Sequence, residues 1–201
     1  LFSYAQQMHV GGRPTASQID AERAAPLMQR HEEAGTVTPH LIDAYLTFVC
    51  AGGLIRRAEA FFARHPQTPQ RITTMLQMYH KTRRGDPALA LAQKSLMQGT
   101  LVADGLSSAL GACARSFYAK SGTALWLEAA HAGVLPDPQA SGVSSFLNLL
   151  RLLGRDDDVV KLSALTQSGV RSTPRHRFPH ETITKKRMEQ VNNRDTRFMP
   201  D

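Results

Sequence analysis

Cysteine, aromatic residues and long apolar runs are all scarce in this sequence. Its two cysteines, Cys50 and Cys113, exclude a disulfide framework and a cysteine-based zinc site, and they favour a reducing compartment. The longest apolar run, residues 44–55, is shorter than the ~18 residues that a membrane-spanning helix requires, so we expect no membrane partner. Aromatic residues make up only 6% of the chain, while leucine and alanine dominate its apolar content, which favours helices over strands.

Positive charge is concentrated towards the C-terminal end of the chain. The sequence has 24 Lys and Arg against 17 Asp and Glu, a formal net charge of +7 at pH 7. Residues 171–201 hold eight basic and four acidic residues, so this short segment carries more than half of the excess charge. Such a segment commonly binds a polyanion, and the alternative is a solvated tail that binds no partner.

A capping residue followed by proline recurs along the chain. A Thr or Asp side chain accepts hydrogen bonds from the free amides at a helix N-terminus, and proline is favoured at the first helical position. The pattern occurs at Thr38-Pro39, Thr68-Pro69, Asp137-Pro138 and Thr173-Pro174, and Asp104 offers the same capping group without the proline. These starts recur at nearly regular intervals along the chain, and such a period is typical of a repeated structural unit.

Glycines divide each of these units into two helical segments. Gly52-Gly53, Gly85, Gly122 and Gly154 each follow an apolar segment, and glycine ends a helix readily because it adopts the left-handed conformation at little cost. The pattern predicts a helix over residues 17–34 and then four pairs of a first and a second helix. The predicted pairs are 39–51 with 55–65, 69–82 with 87–98, 105–119 with 123–132, and 138–152 with 156–168.

Apolar stripes on the second helices are too wide for a single helix to bury. Residues 88–97 and 159–165 both place apolar side chains at helical spacing. Stacking helix pairs side by side buries such stripes in one continuous core. We therefore predict an all-α fold, a solenoid of antiparallel helix pairs over residues 17–173. We expect residues 1–16 to be the remainder of an upstream helix and its turn, and residues 174–201 to be a basic C-terminal extension.

Three segments carry the motifs of a known repeat family. Residues 133–137 read Gly-Val-Leu-Pro-Asp and match a closing motif Gly-x-x-Pro-Asp; residues 88–91 read Ala-Leu-Ala-Leu, as in a second helix; and residues 107–115 read like a first helix. On these segments residues 17–173 resemble the pentatricopeptide repeat family, whose units have a similar period. The first unit departs from that pattern because it ends in His65-Pro66-Gln67, without a glycine. Tetratricopeptide repeats have a similar period too, but their characteristic residues are not recognisable here.

The resemblance implies that single-stranded RNA binds along the first helices, with each unit reading one base through two or three side chains. In that family the reading residues are a polar residue early in the first helix and the last residue of the unit. Carried over to this sequence, they are Thr74 with Asp104, Ser108 with Asp137, and Ser144 with Thr173. The alternative is structural, since Asp104 and Asp137 also suit helix caps and small hydroxyl residues are ordinary near helix starts.

Clusters of basic residues supply candidate phosphate contacts. They lie beside one predicted turn between helices and in the C-terminal extension: Arg83, Arg84, Arg175, Arg177, Lys185, Lys186 and Arg187. For the first two, the alternative is a favourable interaction with the helix macrodipole, which needs no partner. The sequence carries no motif for catalysis, metal binding or cofactor binding, so we expect no catalytic residue, no metal and no cofactor.

Together these features favour a non-catalytic, RNA-associated protein of an organellar ribonucleoprotein particle. The pentatricopeptide repeat family is largely organellar and some members are ribosomal components, so the resemblance implies a mitochondrial ribosome in the matrix. The expected partners are ribosomal RNA or an organellar transcript, and the neighbouring proteins of the particle. The alternatives are a protein–protein scaffold and a free factor that processes or stabilises organellar mRNA.

Overall fold

The computed structural model describes residues 16–167, which form α-helices and contain no strand. The helices are α1 (Ala16–Glu33), α2 (Pro39–Ala51), α3 (Ile55–Arg64), α4 (Pro69–Thr82), α5 (Gly85–Met97), α6 (Ala103–Ser116), α7 (Ala119–His131), α8 (Ser141–Leu152) and α9 (Asp156–Gln167). The prediction of an all-α protein is confirmed for this part of the chain. None of these helices combines the length and the apolar character that crossing a bilayer requires.

Two of the predicted helix starts form as the sequence indicates. Thr38 Oγ1 accepts a hydrogen bond from the Leu41 amide at 3.2 Å, and Thr68 Oγ1 accepts one from the Arg71 amide at 3.4 Å. Each threonine precedes a proline that is the first residue of its helix. The bounds of α2 and α4 therefore agree with the prediction, because cap and proline act together on the same first turn.

The helix starts predicted at Asp104 and Asp137 are wrong. Helix α6 begins at Ala103, so Asp104 lies in its first turn, where a negative charge suits the positive end of the helix dipole. Asp137 Oδ1 accepts a hydrogen bond from the Gln139 amide at 2.9 Å and forms a local turn. Helix α8 consequently begins after the predicted proline, at Ser141.

Left-handed residues end many of the helices, and five of them are glycines, including Gly53 and Gly154, which the sequence predicts as stops. The five glycines are Gly35, Gly53, Gly99, Gly133 and Gly154. The stops predicted at Gly85 and Gly122 are wrong, since Gly85 is the first residue of α5 and Gly122 lies inside α7. Arg83 (φ 58°) and Phe117 (φ 64°) adopt the left-handed conformation instead, so α5 and α7 begin earlier than predicted.

Close packing explains why both of these positions are glycine. A Cβ on Gly85 would lie 2.6 Å from the Ser116 Cβ, and a Cβ on Gly122 would overlap the Phe146 ring. Such contacts are shorter than any that well-packed interiors tolerate. The glycines therefore serve the contact between neighbouring helix pairs, a role that the sequence alone does not distinguish from ending a helix.

The four helix pairs have nearly the same internal spacing. The second helix begins at almost the same distance along the chain from the start of the first helix in α2–α3, α4–α5, α6–α7 and α8–α9. Residues of different pairs can therefore be compared by their position from the helix start. Leu89, Thr123 and Val160, for example, are each the fifth residue of a second helix.

The chain divides into two compact units, residues 1–67 and 68–201. In the described part of the first unit, α2 packs against α1 and α3. In the described part of the second unit, the first helices pack in the order α4, α6, α8 and the second helices in the order α5, α7, α9. Helix α6 contacts α4, α5, α7 and α8, so it lies at the centre of this unit.

Small residues allow α6 to approach its neighbours closely. Every residue from Gly105 to Ala114 is buried. A Cβ on Gly111 would lie 2.6 Å from the His80 ring of α4, and one on Gly142 of α8 would overlap the carbonyl oxygen of Ser107. Helices α6 and α8 thus pack backbone against backbone at Gly142, whereas the His80 side chain of α4 packs on Gly111, and only glycine permits such approaches at these points.

Candidate nucleic-acid interface

The turns between first and second helices come together on one side of the second unit. The Ser116 hydroxyl, at the end of α6, donates a hydrogen bond to the Arg83 carbonyl oxygen at 3.2 Å. Gly85 packs directly against Ser116 and Tyr118. The turn after α4 therefore touches the turn after α6. We call the ends of α4, α6 and α8, with the turns that follow them and the first turns of α5, α7 and α9, the turn edge.

Basic residues are concentrated on this turn edge. It holds seven of the ten Lys and Arg residues of the range 68–167: Lys81, Arg83, Arg84, Arg115, Lys120, Arg151 and Arg155. It also holds four acidic residues, Asp86 and residues 156–158. The turn edge consequently carries a net charge of +3, while the acidic Asp104 and Asp137 lie near the N-terminal ends of the first helices.

Carboxylates neutralise only part of this charge. Arg155 Nε lies 2.6 Å from Asp158 Oδ2, which forms an ion pair inside the last helix pair. By contrast, no carboxylate among residues 16–167 lies within ion-pair distance of Lys81, Arg83 or Arg115. Exposed cations without internal partners are the groups that a polyanion neutralises on binding.

His80 lies within electrostatic range of two of these cations. Burial of its ring, and then the nearby charges of Arg115 and Lys81, lower the pKa of His80 below the ordinary value. Its Nε2 atom is buried and has no hydrogen-bond partner among the described residues, with the ring against Gly111. The ends of α4 and α6 therefore hold two cations around one neutral histidine.

The base-reading pair Thr74 and Asp104 lies partly open to solvent. Thr74 is half-buried, and its hydroxyl donates to the Gln70 carbonyl oxygen at 3.1 Å. The oxygen keeps lone pairs that can accept a hydrogen bond. Asp104 is exposed. Both side chains can therefore reach an external ligand, and their role in reading a base stays a prediction.

The pair Ser108 and Asp137 has a different environment. Ser108 is only 9% exposed, and its hydroxyl donates to the Asp104 carbonyl oxygen at 2.9 Å. Asp137 is exposed, while its amide donates to the hydroxyl of Ser107, the residue before Ser108, at 2.9 Å. This geometry does not favour Ser108 as a base-reading side chain. It assigns the neighbouring Ser107 to holding successive units together.

The remaining predicted contacts are described only in part. Arg83 and Arg84 are exposed on the turn edge, and Ser144 is half-buried in the first turn of α8. The other predicted residues lie outside the described range: Thr173, Arg175, Arg177, Lys185, Lys186 and Arg187. Sequence reasoning missed Arg115 and Lys120, although Arg115 follows Lys81 after one full period of the repeat.

In the first unit, two arginines and a histidine at α3 pair with glutamates of α1 instead. Arg57 Nη1 lies 2.7 Å from Glu22 Oε2, and Glu32 Oε1 lies 3.0 Å from His65 Nε2 and 3.6 Å from Arg64 Nη2. Arg57, Arg64 and Glu32 line a cavity of about 240 Å³ together with Tyr45 of α2. Burial raises the pKa of Tyr45. Each of these arginines faces a glutamate, so the ion pairs link α3 to α1.

Metal ligands do not gather in the described part of the chain. Within residues 16–167, no group of three His, Cys, Asp or Glu side chains is arranged to hold a metal ion. Cys50 and Cys113 are both buried and form no disulfide with each other. The turn edge is therefore the strongest candidate for a functional surface in this range.

Comparison with known proteins returns no match for this chain, since no family model matches it and no curated protein is significantly similar to it.

Proposed function

We propose that this protein is a non-catalytic, RNA-associated component of an organellar ribonucleoprotein particle, and that the particle is the mitochondrial ribosome. The observation that carries the proposal is the turn edge, where Lys81, Arg83 and Arg115 have no carboxylate partner within residues 16–167. Cations at successive turns can contact successive phosphates of an RNA strand. Their binding neutralises the phosphates and releases counterions.

We infer that the second unit is a solenoid of antiparallel helix pairs. The contact order α4–α6–α8 for first helices and α5–α7–α9 for second helices supports this arrangement, as does the near-constant spacing within pairs. In a solenoid each repeat contacts only its neighbours. Equivalent turns therefore follow one another along an edge, and the turns after α4 and α6 place Lys81, Arg83 and Arg115 on it.

Phosphate contact explains this surface better than base reading does. The middle first helix, α6, is buried from Gly105 to Ala114, and the Ser108 hydroxyl is engaged with its own helix. Lys and Arg contacts to phosphate position a protein on nucleic acid without reading its sequence. We therefore expect sequence-tolerant binding, which suits a subunit of a particle better than a selective mRNA factor. The basic residues of the C-terminal extension would add to this contact.

The assignment to mitochondria depends on the resemblance to pentatricopeptide repeats alone. That resemblance is carried by residues 88–91, 107–115 and 133–137. A free mRNA processing or stability factor would use the same residues and would differ only in the molecules with which it associates. Neighbouring proteins of the particle would share the remaining surface of the helix pairs.

A second candidate function, a protein–protein scaffold, is favoured by a separate observation. Several large apolar side chains of the second unit are exposed: Met97, Val102, Leu135, Leu152 and Val160. Exposed apolar side chains are common singly, but a scaffold would bury them against its partner. Such a partner would bind with little dependence on salt, whereas RNA binding to the turn edge depends on it steeply.

A salt titration separates the two functions. We expect affinity for a single-stranded RNA to fall with salt, with log K decreasing by about 0.7 per log unit of salt for each phosphate contacted. The measurement is fluorescence anisotropy with labelled RNAs of two unrelated sequences between 50 and 300 mM salt, roughly the range in which such slopes are well resolved. Equal affinity for both sequences is expected. A salt-independent affinity, or no binding at all, would contradict RNA association.

Co-sedimentation of the tagged full-length protein with ribosomal subunits in a mitochondrial lysate tests the particle. We expect it in the subunit fractions, and we expect deletion of residues 171–201 to weaken this association more than Asp137→Ala does. Appearance only in light fractions would overturn the ribosomal assignment and leave RNA binding as a separate question. A larger effect of Asp137→Ala would place the main contact on the repeats.

A further inference from the structure

The last described helix pair, α8–α9, has one side that no other helix covers within residues 16–167. Each earlier pair of the second unit is followed by another pair, with α6 packed on α4 and α7 on α5. After α9 no described helix follows. We call this side the end face and identify its residues by comparison with the equivalent positions of the inner pairs.

The fifth residue of the second helix marks the end face most clearly. At this position Leu89 of α5 and Thr123 of α7 are 5% and 6% exposed, whereas Val160 of α9 is 70% exposed. The three residues have the same place in equivalent helices, so the difference follows from what packs beside them. Val160 occupies a position that is buried in both earlier pairs of the second unit.

The first helices show the same trend. At the twelfth position Ala114 of α6 is buried and Leu152 of α8 is 48% exposed. At the eighth position Leu76 and Leu110 are fully buried, whereas their equivalent Asn148 is half-buried. The end face thus combines exposed apolar residues with a polar amide.

The end face also includes acidic residues. The first residues of the inner second helices, Gly85 and Ala119, are buried, while the equivalent residue of α9 is the exposed Asp156. Asp157 next to it is also exposed. A partner that fits this surface therefore offers apolar side chains for Leu152 and Val160 together with positive charge for the aspartates.

The segment of the chain that follows α9 has this composition. Residues 180–191 contain three apolar residues, Ile183, Met188 and Val191, and the basic cluster Lys185-Lys186-Arg187. The intervening residues, 168–179, can span up to about 40 Å when extended. Helix α9 has 12 residues and is about 18 Å long. The chain can therefore return along α9 and reach Val160.

We propose that residues 180–191 bind to the end face, with Ile183, Met188 and Val191 against Leu152 and Val160 and the basic cluster near Asp156. Residues 180–191 lie outside the described range, and the proposal rests on their sequence and on the proposed solenoid. It does not rest on RNA binding. A second copy of the chain and a different protein are the competing occupants of the same surface.

Disulfide trapping in the full-length protein, without RNA, tests the proposal. The variant combines Val160→Cys with Ile183→Cys, and the matched control combines Met97→Cys with Ile183→Cys. Met97 is 83% exposed and Val160 is 70% exposed, so the control position is at least as accessible. The native Cys50 and Cys113 are buried. Intramolecular disulfide formation is measured by mass spectrometry under mild oxidation at several protein concentrations.

We expect the variant with Val160→Cys to form its intramolecular disulfide at least about tenfold faster than the control, because binding raises the local concentration of residues 180–191 at the end face. Equal rates would overturn the proposal. A disulfide between two chains, formed faster at higher concentration, would also overturn it and identify a second copy as the occupant. Because no RNA is present, none of these results depends on the proposed function.

A second measurement covers the case in which cysteine substitution perturbs α9. Amide hydrogen exchange of residues 180–191 is compared between the full-length protein, Val160→Asp and Met97→Asp. We expect Val160→Asp alone to speed this exchange, since a buried carboxylate against apolar side chains is unfavourable. Identical exchange in the three proteins would overturn the proposal, and α9 peptides report in the same experiment whether the helix remains folded.

Discussion

In residues 16–67 the arginines beside the central cavity face carboxylates of α1, whereas in residues 68–167 several cations of the turn edge face none in the described part of the chain. Arg57 pairs with Glu22, and Arg64 and His65 approach Glu32. The described part of the first unit holds six acidic and five basic residues, that of the second seven acidic and ten basic. Arg23, Arg30 and Arg56 of the first unit also lack a carboxylate partner within residues 16–167. The contrast therefore lies between Arg57 and Arg64, whose charges help to fold their unit, and the turn-edge cations, whose charges are available to a ligand.

The two units also differ in how their helices pack. In the first unit aromatic rings fill the core, with the Tyr45 and Phe61 centroids 4.7 Å apart and the Arg64 guanidinium 5.9 Å from the Phe61 ring. In the second unit the first helices approach through glycine and serine. Aromatic cores tolerate small shifts of a helix, but backbone contacts leave no free volume for an added methyl group.

The largest expected effect tests this packing contrast. Gly142→Ala would place a methyl group against the Ser107 carbonyl oxygen, so we expect a loss of about 3 kcal/mol in the free energy of unfolding. The measurement is urea denaturation followed by circular dichroism. The control is Ser141→Ala, at the exposed preceding residue, for which we expect a change of about 0.5 kcal/mol or less. Equal effects of the two variants would mean that α6 and α8 do not pack backbone to backbone.

The next effect sharpens the charge contrast. Lys81→Gln combined with Arg115→Gln removes two turn-edge cations that have no carboxylate partner within residues 16–167, so we expect RNA affinity at 0.1 M salt to fall about 25-fold if each contacts one phosphate. The salt slope should decrease by about 1.4 for the same reason. The matched control, Lys94→Gln with Lys161→Gln, makes the same change in net charge away from the turn edge. If the control weakened binding equally, net charge rather than the turn edge would determine affinity.

A smaller effect separates folding from binding at one residue. Arg83 adopts the left-handed backbone conformation at the end of α4. A residue with a Cβ is strained in this conformation. We expect Arg83→Gly to raise the free energy of unfolding by about 0.5–1 kcal/mol. RNA affinity at 0.1 M salt should nevertheless fall about fivefold. Arg83→Lys keeps both the strain and the charge, so it should change neither quantity; a stable Arg83→Gly variant with unchanged affinity would remove Arg83 from the interface.

The smallest expected effect concerns pH. Because the pKa of His80 is lowered in the folded protein, the unfolded chain binds the proton first as the pH falls. Its contribution to stability is therefore complete above pH 6.5 and is lost progressively below it, down to the lower pKa of the folded state. Between pH 7 and pH 5, a range of about two units in which histidine titrates, the denaturation midpoint should fall for both proteins. We expect this fall to be smaller in His80→Gln than in the native protein. Parallel pH profiles would contradict this assignment.

Local signals predicted the start of a helix well at Thr38-Pro39 and Thr68-Pro69, but not at Asp137-Pro138. Pro39 and Pro69 begin helices as expected, since both residues act within one turn. Gly85 and Gly122 misled the prediction because a glycine that ends a helix and one that admits a neighbouring side chain look the same in sequence. The candidate site was predictable only at Arg83 and Arg84. Arg115 and Lys120 join them through the contact between successive turns, which involves residues far apart in the chain.

The sequence by itself determined that the described chain is helical, roughly where each helix lies, and that positive charge is in excess, because caps, spacing and composition act within a few residues. Tertiary structure decided which hydroxyl groups and cations remain available. Ser108 is buried because α6 packs against both α4 and α8, and the charge of Arg115 acts on His80 because α4 and α6 pack together. Burial and proximity depend on contacts between distant segments, so no local pattern encodes them.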